Sequence, residues 1–423
     1  MKFVLASYGM RGDVEPSVAV GRELLRRGHD VRMAVSPNLV GFAESVGLSA
    51  VAYGLDTQAI VEAQRNFWTR FFRSPWKTRD LIRLWRETRE LAIQCWAEMT
   101  KTLTSLADGA DLLSTGLIYE LPAVNVAEYY DIPLAALHFF PVRANGQLLP
   151  FLPSPLTRSI MTANDWVQWR VAKKLEDTQR RELGLPKATG PSSQRITERG
   201  WLEIQAYDEV CFPGLAAEWA NWDGRRPFVG ALTMDLPTDA DEQVASWIAA
   251  GTPPPICFGF GSMPVESPTE MLAMISTACA QLGHRALVCA GGTDFSRVPL
   301  PEHVKVVGVV NYAATFPACR AVVHHGGAGT TAAALRAGVP QLILSTLPDQ
   351  PLWAAQIKRL KVGSGRRFST TTEKSLVADL RTILAPQYLT RAREIATRMT
   401  KPAESVTAAA DLVENFARVR SVG

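Results

Sequence analysis

Short apolar runs alternate along the chain with segments that have the spacing of amphipathic helices. The runs resemble strands and include KFVLASY, DVRMAVS, DLLSTG and PLAALHFF, followed later by PPICFGFG, RALVCAGG, VKVVGVV, AVVHHGG and QLILST. Several of them are continuously apolar, which is typical of strands that are covered by helices on both faces. The alternation therefore predicts an α/β protein built on parallel sheets.

The runs fall into two sets separated by a polar, proline-bearing stretch. This stretch, residues 231–250, is followed by GTPPP and is typical of an interdomain linker. Each set begins with a strand that leads into a glycine loop, FVLASYGMRG in one and ICFGFGSM in the other. We expect domains at 1–230 and 251–423 with ligands bound beyond the strand ends, and we expect the last helix to return to the first domain.

Composition narrows the class of protein. The 423 residues favour two domains, and 47% hydrophobic with 20% charged residues describe a globular chain. No apolar run reaches the roughly 18 residues of a membrane span and no secretory signal precedes the first strand, so we expect a cytoplasmic protein. The six cysteines lack a C-x-x-C pair and favour reduced thiols over zinc, and a net charge of +4 does not indicate nucleic-acid binding.

A glycine-rich turn between a strand and a helix is the most informative motif. In AVVHHGGAGTTAAALRAGVP, residues 321–340, Gly327 and Gly329 let a ligand approach the backbone. The first turn of the helix offers unpaired N–H groups, and Thr330 and His325 add side-chain donors. The spacing matches neither G-x-G-x-x-G nor a P-loop, so the motif predicts a phosphate site unlike those for NAD or ATP.

Two further segments complete a resemblance. In the next loop, the adjacent Asp349 and Gln350 could hold neighbouring hydroxyls of a sugar. HHGGAGTTAAALRAGVPQLILSTLPDQPLWAAQI resembles the donor signature of family 1 glycosyltransferases, and RGDVEPSVAVGRELLRRGHDV resembles their acceptor-side motif. The likeness covers nearly the whole chain and is strongest to sterol-type enzymes and to actinobacterial enzymes for natural products and glycopeptidolipids. It implies the GT-B fold, two Rossmann-like parallel-sheet domains facing a central cleft.

The resemblance also implies roles for particular residues of this chain. The donor diphosphate would be held by His325, Gly327, Gly329 and Thr330 and bordered by Gly261 and Ser262. Asp349 and Gln350 would hold the donor sugar, and Val309 and Val310 would contact the nucleobase. Gly12 and His138 are candidates for the acceptor side, although a buried core histidine explains His138 equally well.

Donor identity is left open by one position. Ala333 stands where many members that use uridine nucleotides carry a glutamate for the ribose hydroxyls. The donor is therefore expected to be a dTDP- or UDP-hexose, with no other cofactor. The sequence DAD at 239–241 imitates a metal motif but lies in the predicted linker, and the helix terminus already supplies phosphate stabilisation, so no metal is expected.

Asp13, in the loop after the first strand, has competing interpretations. A carboxylate facing the phosphate turn could take the proton of an acceptor hydroxyl, which is the general-base role that the resemblance implies. Because Glu15 and Pro16 follow it, Asp13 could also simply stabilise a helix N-terminus. An Arg-Gly-Asp adhesion signal would need secretion, and a dinucleotide loop would need a third glycine.

The function implied is inverting, metal-independent transfer of a hexose or 6-deoxyhexose to a hydroxyl of a hydrophobic acceptor such as a glycopeptidolipid. The alternatives are a UDP-glucose-dependent sterol or lipid glucosyltransferase, a nucleotide-sugar epimerase, and a donor-binding protein without activity. Residues 64–90 carry eight basic, three acidic and six aromatic side chains. They would form amphipathic helices that line the acceptor site, contact the inner face of a membrane, or present a solvated charged face.

Overall fold

The computed structural model describes residues 1–421 except 61, 64–69, 71–75, 150–151, 223, 262–266, 292, 294, 296–297 and 348. Two six-stranded sheets, in which every strand pair is parallel, confirm the predicted α/β class. The first sheet contains β1 Lys2–Ser7, β2 Asp30–Val35, β3 Ser49–Ala52, β4 Leu112–Thr115, β5 Leu134–His138 and β6 Leu202–Gln205. The second contains β7 Ile256–Gly259, β8 Ala286–Cys289, β9 Val304–Val307, β10 Ala321–His324, β11 Gln341–Ser345 and β12 Gly363–Arg367.

Helices flank both sheets. In the first half they are α1 Arg11–Arg26, α2 Val40–Ser45, α3 Thr78–Ala107, α4 Glu120–Tyr130, α5 Ser154–Glu182, α6 Ser192–Glu198 and α7 Leu215–Glu218. They continue with α8 Asp241–Ala249, α9 Pro268–Gln281, α10 Tyr312–Thr315, α11 Ala328–Arg336, α12 Gln350–Arg359, α13 Glu373–Ile383, α14 Pro386–Ala396 and α15 Pro402–Ser421. Helix α8 lies inside the predicted linker and packs against the second sheet through Val244.

Both sheets have the same strand order, which fixes where a ligand can bind. The orders are β3-β2-β1-β4-β5-β6 and β12-β11-β10-β7-β8-β9. The order reverses between β1 and β4, and again between β7 and β10, and ligands of such sheets bind beyond the carboxyl ends at that point. Asp13 follows β1, and His325 follows β10, so each lies at the reversal of its own sheet.

Helix α15 returns to the first half of the chain. Its residues Ala409 and Val413 belong to the same buried apolar cluster as Val14 of α1. Arg27, which follows α1, holds the contact at the surface because its Nη1 lies 2.9 Å from a carboxylate oxygen of Glu414. The first sheet is therefore covered on one face by a helix from the far end of the sequence.

An apolar cluster joins the two halves next to the strand ends. Tyr207 and Phe212, which follow β6, pack in one buried cluster with Trp353 and Ile357 of α12. The rings of Phe212 and Trp353 lie 5.3 Å apart, centroid to centroid, in an edge-to-face arrangement. Because these residues all follow the carboxyl ends of strands, the cluster holds the two carboxyl edges toward each other.

Arg336 of α11 connects the two segments that cross between the halves. Its Nη2 donates to the Ala231 carbonyl at 2.7 Å, and its Nη1 donates to the Thr233 hydroxyl at 2.8 Å. Its Nε donates to the Thr400 carbonyl at 2.8 Å, on the segment that leads into α15. Burial lowers the pKa of Arg336, and the charge of Asp208 opposes this shift.

We predict that Arg336→Met lowers the free energy of unfolding by about 3 kcal/mol, because three carbonyl and hydroxyl acceptors lose a charged donor. Urea unfolding followed by tryptophan fluorescence measures the change. Arg381→Met is the matched control, since Arg381 is exposed on α13 and no partner for its side chain is found in the described part of the chain. Equal stability of both variants would contradict a structural role for Arg336.

Candidate active site

Helix α11 presents its N-terminus to the space between the sheets. Gly327 is its N-cap residue and makes no side-chain cap, so the first-turn N–H groups of Ala328, Gly329 and Thr330 point toward the cleft. The Thr331 hydroxyl donates to the Gly327 carbonyl at 2.9 Å, which leaves Thr330 as the outward-facing hydroxyl. The positive end of the helix dipole and these donors suit a phosphate group.

His325 lies between two glycines that the sequence analysis assigned to the same ligand. A Cβ atom on Gly327 would stand 2.6 Å from His325 Nε2, and one on Gly261 would stand 3.0 Å from its Cε1. A larger residue at either position would therefore displace the imidazole. Burial lowers the pKa of His325, against the effect of a backbone contact with Gly259, which favours the neutral imidazole with one N–H donor.

His324, which the sequence analysis did not single out, shapes the same turn. Its Nδ1 accepts a hydrogen bond from Gly326 N at 3.1 Å, and its Nε2 lies 2.9 Å from Gln341 Oε1. Burial, and to a smaller extent His325, lowers the pKa of His324 to about 3. The doubled histidine therefore contains one residue that braces the backbone and one that faces the cleft.

Asp349 and Gln350 are brought to the same edge after β11. The Gln350 Oε1 accepts hydrogen bonds from Thr346 N at 2.6 Å and Leu347 N at 2.9 Å, so its amide oxygen holds its own loop in place. Asp349 is the N-cap residue of α12, and burial raises the pKa of its carboxyl, while backbone N–H groups oppose the shift. Of this pair, the carboxylate is the group with free acceptor capacity.

Asp13 occupies the facing position on the first sheet and also stabilises α1. Its Oδ2 accepts a hydrogen bond from Met10 N at 2.8 Å, as the third residue of the helix does in a capping box. Gly9 has a φ of +133°, and a Cβ there would stand 2.3 Å from Asp13 Oδ2. Only glycine therefore allows the carboxylate to fold back this closely, and the second oxygen, Oδ1, has no partner within the described residues.

The carboxyl of Asp13 is electrostatically coupled to the opposite sheet. The pKa of Asp13 is raised to about 7, chiefly by burial and to a smaller extent by the charge of Asp349, while the bond from Met10 N opposes both. The two carboxylates therefore lie within electrostatic range across the cleft, although 336 positions of sequence separate them. A base whose pKa lies near neutrality is matched to proton transfer at physiological pH.

The remaining predicted residues have different surroundings. Gly12 is exposed at the first turn of α1, with open space where a Cβ would stand. Val309 is half exposed after β9, whereas Val310 is buried in the core. Ser262 lies outside the described residues.

His138 lies inside a buried ion network. It is fully buried at the end of β5, and its Nε2 is 3.1 Å from Glu120 Oε2, which also accepts from Arg143 Nη2 at 2.9 Å. Arg143 and Arg226 both pair with Glu203, so the network continues to the neighbouring strand. The network braces the loop after β5 from below, and the imidazole has no exposed surface to offer a substrate in this conformation.

The described residues contain no group of three metal-binding side chains. The DAD motif has another use, since Asp241 accepts hydrogen bonds from the Thr238 hydroxyl at 2.7 Å and from Asn311 N at 2.9 Å. It thereby anchors the start of α8 to the loop after β9.

Known proteins match both halves of this site. Residues 3–101 match the family described as Glycosyltransferase family 28 N-terminal domain, and residues 277–415 match Erythromycin biosynthesis protein CIII-like, C-terminal domain. The chain is 63% identical over 421 residues to the Uncharacterized glycosyltransferase Rv1524 of Mycobacterium tuberculosis (strain ATCC 25618 / H37Rv), with 99% of each covered. It is 30% identical over 424 residues to Glycosyltransferase GtfE of Amycolatopsis orientalis, with 98% of this chain and 97% of GtfE covered.

The fold has solved counterparts as well. The structure of glycosyltransferase VinC in complex with dTDP matches with a TM-score of 0.66 at 18% identity, over 99% of this chain and 100% of that one. The family matches and the relatives at 63% and 30% identity show that the chain belongs to the family 1 glycosyltransferases. The two sheets and the structural match show that it has the GT-B fold. It is a nucleotide-sugar-dependent transferase.

We predict that the stability of the protein depends on pH through Asp13. The folded-state pKa of about 7 lies above the unfolded value of about 3.9, so the stability linked to this group is full below pH 4 and is lost as pH rises toward 7. Asp13→Asn has no proton to lose there. Its free energy of unfolding relative to wild type should therefore rise between pH 4 and pH 7, by at most about 1.4 kcal/mol per pH unit.

Urea unfolding of both proteins at each pH tests this expectation. Asp131→Asn is the control, because the Asp131 side chain is 91% exposed. A difference between Asp13→Asn and wild type that stays constant from pH 4 to pH 8 would rule out an elevated pKa.

Proposed function

We propose that the protein transfers a hexose or 6-deoxyhexose from a nucleoside diphosphate sugar to a hydroxyl of a hydrophobic acceptor, with inversion at the anomeric carbon. The observation that carries the proposal is the Asp13 carboxylate on one wall of the cleft, coupled to Asp349 on the other wall. His325 and the N-terminus of α11 lie next to Asp349 at the end of the neighbouring strand. A base opposite an anion site suits a reaction in which one group loses a proton while another leaves as a diphosphate.

In the proposed step, Asp13 Oδ1 accepts the proton of the acceptor hydroxyl while that oxygen forms a bond to the anomeric carbon. The bond from this carbon to the phosphate oxygen breaks, and its electron pair leaves with the nucleoside diphosphate. The N–H groups of Gly329 and Thr330 and the imidazole of His325 would stabilise the charge of the leaving group. Attack from the side opposite the leaving group inverts the carbon.

We propose a dTDP- or UDP-hexose as donor, with no metal or other cofactor. The nucleobase would lie against Val309, which is half exposed. The sugar would lie against Asp349 and Gln350, and the diphosphate also against Gly261 and Gly327. Ala333 offers no carboxylate to the ribose, an absence that matters less for a thymidine nucleotide because its 2′-hydroxyl is missing. The dTDP bound to VinC supports the same choice.

Apolar side chains that follow strands at the same sheet edge as Asp13 support a hydrophobic acceptor, such as a glycopeptidolipid or another natural product. Ile118 follows β4 and is 38% exposed, and Phe139 and Phe140 follow β5 at the same edge of the sheet. Tyr119 has a φ of +60°, a conformation that a bulky residue adopts only when its surroundings impose it, and its ring packs 5.3 Å from that of Tyr8.

We further propose that residues 64–90 and α5 bring the protein to the inner face of a membrane that holds a lipid-linked acceptor. Part of this segment lies outside the described residues, but Trp76, Ile82 and Trp85 are all more than half exposed. Val167 and Val171 of α5 are also exposed. Arginines between these apolar groups suit an anionic lipid surface. No helix in the described part of the chain is long and apolar enough to cross a membrane.

A donor-by-acceptor screen analysed by mass spectrometry tests the proposed reaction. We expect a glycosylated product from a dTDP- or UDP-hexose and a hydrophobic alcohol, with equal yield in EDTA and in magnesium, and with inverted anomeric configuration. Product that appears only with magnesium would contradict metal independence. Donor epimerisation without an acceptor would favour the epimerase alternative, and donor binding without turnover would favour a binding protein.

The Asp13→Asn variant distinguishes a general-base role of Asp13 from a role in stabilising the N-terminus of α1. Asn keeps the size and cannot take the proton, so turnover should fall by about a hundredfold or more while donor affinity is retained. Wild-type turnover should also rise with pH through about 7 as Asp13 ionises. If Asp13 only stabilises α1, the Asn variant will keep its turnover and Asp13→Ala will lose roughly 1 kcal/mol of stability with the activity of the folded fraction intact.

Flotation with anionic vesicles tests the membrane contact. We expect binding at low salt that weakens as salt rises, and a loss of about fivefold per arginine when Arg83 or Arg86 is replaced by serine. Trp85→Ser should also weaken binding, while Leu300→Ser, which removes an exposed apolar side chain far from α3 in sequence, should not. Absence of wild-type binding would leave 64–90 as a lining of the acceptor site or a solvated face.

A further inference from the structure

Arg11 is the first residue of α1, a position where a positive charge is unfavourable. The N-terminus of a helix carries the positive end of the dipole, so an arginine there loses stability that a neutral residue would keep. Asp13, two residues later, has the charge that the dipole prefers. Because Arg11 is unfavourable for the stability of α1, we expect it to make another interaction that explains its presence.

The side chain of Arg11 is held in place while part of its guanidinium stays available. Its Nε donates to Glu15 Oε2 at 3.1 Å, and its Cζ lies 4.6 Å from the ring centroid of Phe42. Its Nη1 and Nη2 have no hydrogen-bond partner within the described residues, and the side chain is 41% exposed. Two parallel N–H donors therefore remain free for a ligand.

Glu15 ties this arginine to the segment that joins the domains. One of its oxygens accepts from Arg11, and the other accepts from Met234 N at 3.0 Å. The segment that joins the two halves therefore positions the Arg11 guanidinium through Glu15. If the two halves moved relative to each other, the guanidinium would move with them.

The first turn of α1 faces the middle of the second sheet. Arg11 and Glu15 both lie within electrostatic range of Tyr312, whose pKa is raised chiefly by burial. Asp13 lies within range of Asp349. Tyr312 follows β9 and Asp349 follows β11, and the strands between them include β10 and β7, whose ends carry His325 and Gly261. The Tyr312 hydroxyl lies 3.6 Å from where a Cβ on Gly259 would stand, at the end of β7, so we infer that the first turn of α1 faces the ends of β7 and β10.

We propose that Arg11 binds the donor diphosphate from the acceptor-side domain and that Glu15 is its positioning residue, an inference that rests on the proposed function. His325 and α11 would hold one side of the diphosphate, and the free nitrogens of Arg11 the other side. As the bond to the anomeric carbon breaks, negative charge grows on the phosphate oxygens, where a guanidinium stabilises it more than a neutral donor does. The arginine would also neutralise part of the field of the Asp13 and Asp349 carboxylates beside the anionic donor.

Titration calorimetry with dTDP and with UDP tests the proposal directly and needs no acceptor. Arg11→Met should weaken binding of the nucleotide that the wild type prefers by about tenfold or more, and Arg11→Lys should recover part of the loss. Turnover or donor hydrolysis should fall by about a hundredfold in Arg11→Met. The melting temperature should not fall, because the change removes a charge that the helix dipole disfavours.

Two variants give the controls. Arg22→Met, on the exposed face of the same helix, should bind and turn over like the wild type. Glu15→Gln should cause a smaller loss than Arg11→Met and no additional loss in the Arg11→Met background, since it acts through the arginine.

The outcomes separate this inference from the proposed function. If His325→Ala loses nucleotide affinity while Arg11→Met keeps wild-type affinity and turnover, Arg11 does not contact the diphosphate and this proposal is overturned alone. If neither dTDP nor UDP binds to the wild type, the proposed donor site fails and Arg11 fails with it. Equal additional losses from Glu15→Gln in both backgrounds would overturn the positioning role.

Discussion

The apposition of two sheet edges is the constraint on which the site depends. The apolar cluster around Tyr207, Phe212 and Trp353 excludes water beside the strand ends, and Arg336 fixes the crossing segments next to it. The elevated pKa of Asp13 results first from burial and, to a smaller extent, from the charge of Asp349 on the other half. The chemistry of the cleft is therefore a property of the interface between the domains.

The buried ion network of the first half also positions the loops near the cleft, although its members do not line the cleft. Burial would raise the pKa of Glu120, but Arg143 and His138 hold it at about 2, so the network remains charged in the interior. Removing one member of such a network leaves another charge unpaired and is strongly destabilising, whereas the intact network mainly specifies one arrangement of the loops. Two of its members, Glu120 and His138, follow and precede the loop residues Ile118 and Phe139 in the sequence and contact each other. The loops proposed to form the acceptor side are thus held in place by buried residues.

Periodicity predicted the α/β class and nine of the twelve strands found in the described residues, because burial on both faces leaves continuous apolar runs. It did not find β3 and β12, which are mostly not buried, or β6, which carries Glu203. The same reasoning did not find α8, which begins at Asp241 in a polar stretch and is held by Asp241 and Val244. It also did not find the ion network, since 60 positions separate Arg143 from Glu203 and no local pattern records such pairs. For Asp13 the sequence left a choice between base and cap. The structure shows the capping contact with Met10 N, while the general-base role stays a prediction, because capping is local and burial arises from distant residues. His324 and His325 are adjacent residues of the same type, so only their tertiary environment distinguishes them. His324 holds the backbone of the turn, whereas His325 faces the cleft.

The return of α15 has a consequence for how the protein is made. The core of the first half includes Ala409, Val413 and Ala417, so the surface formed by Val14 and Val18 stays uncovered until α15 has followed the second sheet out of the ribosome. At 5–20 residues per second, typical of synthesis, the interval between α1 and α15 lasts roughly 20 to 80 seconds. During that time the nascent first domain exposes an apolar face, which a chaperone must shield or the emerging second domain must protect. The core of the first domain is therefore completed only after the second domain has been synthesised.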